Sequence, residues 1–193
     1  MAEYLLVFMS AVLVNNFVLT RFLGLCIFFG VSTSFEASLG MGVAVTAVMV
    51  VASLFGWLIY FFVLTPLDLT FFTTICFVLI VASTVQMVDI VTKRFAPKLY
   101  SMWGIYLMLI ATNCVVLSVP LINVENEFNL ARSLVHAVGA GVGFWLALLL
   151  MASIREKLTH SEVPDAFKGL GIAFVTAGLL SLAFLGFSGM IAL

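Results

Sequence analysis

The chain has 193 residues, of which 64% are hydrophobic and 9% charged, and its mean hydropathy is +1.29. A soluble globular domain carries about 25% charged residues because its surface meets water, so this composition excludes one and implies an integral membrane protein. The formal net charge of −1 gives no basic footprint for a nucleic-acid partner.

A spanning helix needs about 20 mainly apolar residues. Runs of that kind recur at Tyr4 to Phe29, Leu39 to Leu64, Phe71 to Val91, Leu99 to Ile122, Leu130 to Ile154 and Gly169 to Ile191. The first run is expected to be retained rather than cleaved. Glu3 stands where a signal peptide carries positive charge, and no small-residue cleavage site follows. Each run is apolar all round, as befits helices buried in lipid or in a bundle, and the loops are too short for a soluble domain. The expected fold is an all-α membrane protein of six transmembrane helices in a single domain, 1–193.

Basic residues set the expected orientation. Lys93, Arg94 and Lys98 fall between the third and fourth runs, and Arg155, Lys157 and Lys168 between the fifth and sixth. The opposite side receives Arg132 among Asp68, Glu125 and Glu127. The positive-inside rule then makes the basic loops cytoplasmic and puts both termini outside. Tyr100, Trp103 and Tyr106 at the start of the fourth run, and Trp57 and Tyr60 near the end of the second, fit an interfacial aromatic belt.

Two polar interruptions break this pattern. Asn15 to Gly30 carries two amides, an arginine, two glycines and Cys26, and Ala111-Thr-Asn-Cys114 sits inside the fourth run. Aligning Cys26 with Cys114 matches Phe22-Leu-Gly-Leu-Cys-Ile to Ile110-Ala-Thr-Asn-Cys-Val, and Leu39-Gly-Met-Gly-Val resembles Val138-Gly-Ala-Gly-Val. Three spans per half would make these inverted repeats, about 1–95 and 96–193, with a site where broken helices meet near the midplane. Small-residue packing motifs alone produce a similar likeness.

Straight helices would keep the two thiols apart. Cys26 would lie ~33 Å along a helix starting at Tyr4, and Cys114 ~24 Å along one starting at Lys98. A shared site therefore requires the first run to break, at Asn15-Asn16 and Gly24, and permits the fourth to break at Gly104 or Thr112-Asn113. Amide side chains can satisfy the backbone groups that unwinding frees. Such thiols suit iron–sulfur, zinc or copper(I) centres, and a disulfide or plain burial of small apolar side chains is the alternative. Cys76 lies in a featureless apolar run and reads as packing.

Val14-Asn-Asn-Phe-Val-Leu-x-x-Phe-Leu-Gly-Leu-Cys26 and Gly30-Val-Ser resemble the A-type membrane subunits of Rnf electron-transport complexes. That family is sister to the E-type subunits of the sodium-pumping NADH:quinone reductase. Gly104-Ile, Thr112-Asn-Cys-Val, Ile154-Arg-Glu-Lys-Leu, Val163-Pro, Val175-Thr-Ala-Gly-Leu and Gly186-Phe-Ser-Gly carry the resemblance along nearly the whole chain. Ser101-Met-Trp103 and Tyr106-Leu-Met108 depart from it.

The resemblance implies two inverted three-helix repeats and a homologous partner of opposite topology, the E-type subunit of Rnf, alongside its B-, C-, D- and G-type subunits. It implies that Cys26 and Cys114 supply two of the four ligands of a [2Fe–2S] cluster shared with that partner. The complex would pass electrons between ferredoxin and NAD⁺ while moving Na⁺ or H⁺ across a bacterial inner membrane. Flavins and NAD would sit in other subunits, and the chain has no dinucleotide-binding fingerprint of its own.

Asn15, Asn16 and Asn113 are candidates to donate hydrogen bonds near such a cluster, or simply to cap broken helices. Asp89 with Lys93 reads as an interfacial helix pair. Arg21 would snorkel to the cytoplasmic face if the first run breaks early. His136 and His160 have no metal partners at suitable spacing. The rival functions are a secondary transporter, which would work with both cysteines changed to serine, and a structural assembly protein that holds no iron.

Overall fold

A computed structural model gives the conformation of residues 2–66, 70–95, 109–161, 164 and 167–187. The described residues are helical, with α1 Ala2–Met9, α2 Leu25–Val31, α3 Phe35–Ile59, α4 Thr73–Phe95, α5 Cys114–Glu125, α6 Leu130–Thr159 and α7 Leu170–Leu185. Wider π-helical turns extend α1 through Ser10–Val14 and α3 through Tyr60–Leu64. Phe35–Leu64, Thr73–Val91 and Leu130–Thr159 are long and apolar enough to cross a bilayer. Glu3–Val14, Leu109–Glu125 and Leu170–Leu185 are shorter apolar helices. The aromatic cluster Tyr100, Trp103 and Tyr106, and Gly104, lie outside the described residues.

The exterior is as apolar as the interior, unlike that of a soluble protein. Leu5, Phe62, Phe71, Leu79 and Leu182 are exposed, whereas Asn16, Ser38, Asn113 and Ser133 are buried. Only a hydrocarbon surround makes that distribution favourable.

The glycines of α6 set its packing, because lipid offers no hydrophobic drive between helices and close backbone approach must hold them together. A methyl on Gly139 would sit 3.1 Å from the Phe8 carbonyl, and one on Gly143 would sit 3.0 Å from that of Ala11. These contacts advance in step along both helices, so α1 and α6 run parallel. On another face, Gly141 meets Thr46 of α3, and Gly42 of α3 meets the indole of Trp145. These run in opposite directions, so α3 and α6 are antiparallel. The same sequence offset separates Gly42 from Gly141 and Thr46 from Trp145, which makes the two contacts reciprocal.

Two arginines mark the ends of α6. Arg132 pairs with Glu3 at 2.7 Å, and Arg155 donates from Nη1 to the Phe29 carbonyl at 2.8 Å and to Ser32 Oγ at 2.9 Å. The chain from Glu3 to Ser32 therefore covers the same depth as α6 between Arg132 and Arg155, ~35 Å. A continuous helix over those residues would be ~44 Å long. The surplus is taken up at the break.

Candidate functional site

The first apolar run is interrupted between Val14 and Leu25. Asn16, fully buried, organises the interruption. Its Nδ2 donates to the Val12 carbonyl at 3.3 Å and to the Gly143 carbonyl at 2.8 Å. Its Oδ1 accepts from the Val18 and Leu19 amides at 3.1 and 3.4 Å. One amide side chain thus closes the end of one helix and ties the loop to α6. Ser181 Oγ of α7 donates to the Leu19 carbonyl, and Asn15 Nδ2 donates to Ser10 Oγ at 3.2 Å. Phe22 (φ 54°) and Gly24 (φ 75°) are both left-handed, a conformation that costs a bulky residue and marks a constrained turn.

The loop makes almost no progress along α6. Asn16 is bonded to Gly143, and a methyl at Gly24 would stand 3.3 Å from the ring of Phe144. Gly143 lies ~17 Å along α6 from Arg132, which is half of its ~35 Å run to Arg155. Helix α2, and Cys26 in its first turn, therefore begin at mid-depth rather than at the far surface.

The second interruption meets the first. Residues 109–111 end a helical turn, Thr112 and Asn113 are non-helical, and α5 starts at Cys114. Asn113 is the N-cap, its Oδ1 accepting from the Val115 amide at 3.0 Å. A methyl on Gly24 would lie 2.8 Å from Asn113 Oδ1 and 2.8 Å from Val115 Cγ2. Cys114 stands between those two residues, and Cys26 stands two residues beyond Gly24. Each thiol is thus within two peptide units, ~7.6 Å of chain, of one contact. Both cysteines are exposed on the outside of the chain.

Cys114 also lines an apolar groove of about 470 Å³ with Leu23, Val78, Val81, Asn113 and Leu117. Asn113 Nδ2 is buried and has no hydrogen-bond partner, so an amide donor beside Cys114 is left over. Among the described residues no group of three or more His, Cys, Asp or Glu comes together. The donor set fits half of a four-thiolate centre: two soft ligands from two helix starts, with an unmatched N–H beside one of them.

Of the three candidate asparagines, Asn16 has its donors and acceptor committed to backbone, Asn15 bonds Ser10, and Asn113 keeps a free donor. Arg21 does not extend toward the Arg155 end of α6. The loop turns back, its guanidinium lies 5.6 Å from the centroid of the Phe17 ring, and Phe17 packs edge-on against His136 at 5.9 Å, near the Arg132 end of α6. His136 is a buried structural group whose Nδ1 lies 2.7 Å from Asn123 Oδ1. Cys76 is half-buried on α4, outside both interruptions, and Asp89 is half-buried near the end of the same helix. Sequence reasoning missed Arg155, whose bonds to Phe29 and Ser32 fix the far end of α2. The signal was present in the basic loop, but nothing in it indicated a partner more than a hundred residues away.

Residues 4–191 match the family described as Rnf-Nqr subunit, membrane protein. The chain belongs to the Rnf-Nqr family. It is 58% identical over 193 residues, all of both chains, to the A-type subunit of the proton-translocating ferredoxin:NAD(+) oxidoreductase complex of Clostridium ljungdahlii. It is 52% identical over 184 residues, 95% of this chain and 96% of the relative, to the A-type subunit of the Na(+)-translocating ferredoxin:NAD(+) oxidoreductase complex of Acetobacterium woodii. It is 50% identical over 191 residues, 99% of each chain, to the A-type subunit of the ion-translocating oxidoreductase complex of Serratia proteamaculans. Within an Rnf-Nqr protein the two interruptions belong to a membrane protein, and they meet about half-way along α6 between Arg132 and Arg155.

Proposed function

We propose that this protein is a membrane subunit of an ion-translocating ferredoxin:NAD⁺ oxidoreductase, and that Cys26 and Cys114 provide two of the four thiolates of a [2Fe–2S] cluster. The observation that carries the reading is the contact of Gly24 with Asn113 and Val115 at mid-depth, which gathers two outward-facing thiols from opposite halves of the chain. The other two ligands come from a homologous E-type protein of opposite topology, within an assembly that also holds B-, C-, D- and G-type subunits. When bound, the cluster would supply one-electron transfer within the bilayer. Flavin and nicotinamide chemistry stays in the other subunits.

The residues of this chain do the positioning. Asn16 holds the first interruption against α6, Gly24 lets the two helix starts touch, and Asn113 caps α5. Arg155 and the Phe29–Phe174 ring contact at 4.4 Å hold the far end of α2. The surplus donor of Asn113 is suited to a hydrogen bond toward an electron-rich sulfur.

Two inverted three-helix repeats, six spans and termini on the outer side of a bacterial inner membrane complete the proposal. The reciprocal Gly42–Trp145 and Gly141–Thr46 contacts between antiparallel α3 and α6 support the repeats. The accumulation of Arg155, Lys157 and Lys168 at one end of the molecule supports the orientation.

The test is Cys26→Ser and Cys114→Ser in the assembled complex, each assayed for iron content and for the electron spin resonance of a reduced [2Fe–2S] centre. Each change is expected to remove one such signal and electron transfer while the complex stays assembled. Survival of signal and electron transfer in both variants overturns the reading.

A further inference from the structure

Arg21 is the only cation, and Glu3 the only carboxylate, among the first 34 residues. Glu3 is already paired with Arg132 at 2.7 Å. Arg21 is exposed, and among the described residues it makes no hydrogen bond and no ion pair. The contact it does make is with the ring of Phe17, 5.6 Å from the guanidinium carbon to the centroid.

The loop fixes where this cation sits. Thr20 bonds back to the Asn16 carbonyl through its amide at 2.9 Å and its hydroxyl at 2.6 Å. The Leu23 amide donates to the Phe17 carbonyl at 2.9 Å. The Phe17 ring packs on His136, and the preceding Asn16 bonds Gly143. The ring that holds the guanidinium therefore lies along residues 136–143 of α6, where His136 is the only polar side chain. His136 is itself ~6 Å along the helix from Arg132. A guanidinium beside an apolar membrane helix is costly unless a counter-charge meets it, and the described residues supply none.

From this lone cation we infer that Arg21 is the seat for a carboxylate of a neighbouring membrane subunit, which docks over the exposed face of residues 21–30. The inference rests on the chain being one subunit of an assembly, and not on the cluster.

Charge is the first support. The face of the guanidinium is held by Phe17, which leaves its N–H donors unspent in a fixed fork. That fork matches the two oxygens of a carboxylate.

Shape is the second, and it favours a protein over a lipid phosphate. Phe22, next in the chain, is 51% exposed and held outward at φ 54°. Such a backbone costs a bulky residue and persists where the surroundings require it. Cys26 and Gly30, four residues apart on one face of α2, are both exposed. Gly30 has nothing within 4 Å of where its side chain would begin. Small residues at that spacing let a second helix approach closely, whereas fluid acyl chains need neither the flat face nor the strained phenylalanine.

The experiment uses the assembled complex, with Arg21→Lys treated with dicyclohexylcarbodiimide, which joins an amine to a carboxylate in direct contact. Peptide mapping is expected to find residue 21 joined to an acidic residue of another subunit, and no such product from Arg21→Gln. Arg21→Gln is also expected to leave the detergent-solubilised complex about thirtyfold faster on dilution, as when one partner of a buried charge pair is removed. The adduct is expected to persist with Cys26 and Cys114 replaced by serine, so failure of the cluster reading leaves this one standing. An assembled Arg21→Lys complex with no adduct at residue 21 overturns the inference. So does an adduct to a second copy of this chain, or a release rate of Arg21→Gln equal to that of the parent. Retention that depends on added phosphatidylglycerol, without an adduct, would assign the guanidinium to a lipid phosphate and overturn it as well.

Discussion

Gly24 presses its bare α-carbon against the side chain of Asn113, so closely that a methyl group there would stand 2.8 Å from Oδ1. This contact joins the two helix interruptions, and it depends on glycine twice, through the left-handed φ of 75° and through the missing side chain. Gly24→Ala is expected to cost about 1–2 kcal/mol for the backbone conformation and about 1–3 kcal/mol for the overlap. The assembled complex should melt earlier and show a diminished [2Fe–2S] signal. Gly178→Ala is the control. Nothing lies within 4 Å of that position, so it should be neutral or slightly stabilising through helix propensity. A Gly24→Ala complex with unaltered melting and spectrum would remove the contact from any role in forming the site.

Asn113 serves two purposes that substitution can separate. Its Oδ1 caps α5, while its Nδ2 is buried without a partner. Serine can keep the cap, whereas alanine loses it at a cost of about 1 kcal/mol. Asn113→Ser is therefore expected to leave the melting temperature nearly unchanged and to lower the midpoint potential of the cluster, because a donor that favours the reduced, more negative state is gone. Asn113→Ala should do both. Redox titration followed by spin resonance distinguishes them, and an unshifted midpoint in Asn113→Ser would assign Asn113 to capping alone.

The need for a break at Asn15-Asn16 and Gly24 was legible in the sequence, because a straight helix carries Cys26 to the wrong depth. So was the alternative break at Thr112-Asn113, where the helix does end. The direction of the loop was not. Nothing local says that Asn16 and Gly24 both face the Gly143–Phe144 turn of α6, because those bonds join residues more than a hundred positions apart. Arg21 shows the consequence. An early break was expected to let it reach out toward the basic end, whereas the returning loop leaves it over Phe17. The glycine likeness between Leu39-Gly-Met-Gly-Val and Val138-Gly-Ala-Gly-Val fitted an inverted repeat or generic packing equally. Its reciprocity with Thr46 and Trp145 became visible only with both helices in place.

Arg132 and Lys157, near opposite ends of α6, test the orientation. In right-side-out membrane vesicles, Arg132→Cys is expected to react with a membrane-impermeant maleimide from outside, and Lys157→Cys only after permeabilisation. Both positions are surface-accessible, and replacing Cys26, Cys76 and Cys114 by serine would remove the background. Loss of the Arg132–Glu3 pair should matter little to stability, since its side chains are 37% and 72% exposed and such pairs contribute about 0–1 kcal/mol. The reverse labelling pattern would invert the topology. Labelling of both from one side would contradict α6 as a spanning helix.

Arg155 is the polar support at the far end of α2, beside the Phe29–Phe174 contact. This helix has seven residues, too few to persist without tertiary contacts. Its start is held by the Gly24 contact and its end by Nη1 of Arg155 on the Phe29 carbonyl and Ser32. Arg155→Met keeps the aliphatic stem and removes both bonds, at about 1.5–3 kcal/mol for a charge-assisted donor. Because the loss is local, amide hydrogen exchange of residues 25–31 is expected to quicken about tenfold or more, while residues 114–125 stay protected. Arg155→Lys should fall between, since a point charge can reach one acceptor but not hold both in a fixed plane. Uniform acceleration across both helices would mean that Arg155 stabilises the whole bundle rather than the segment that carries Cys26.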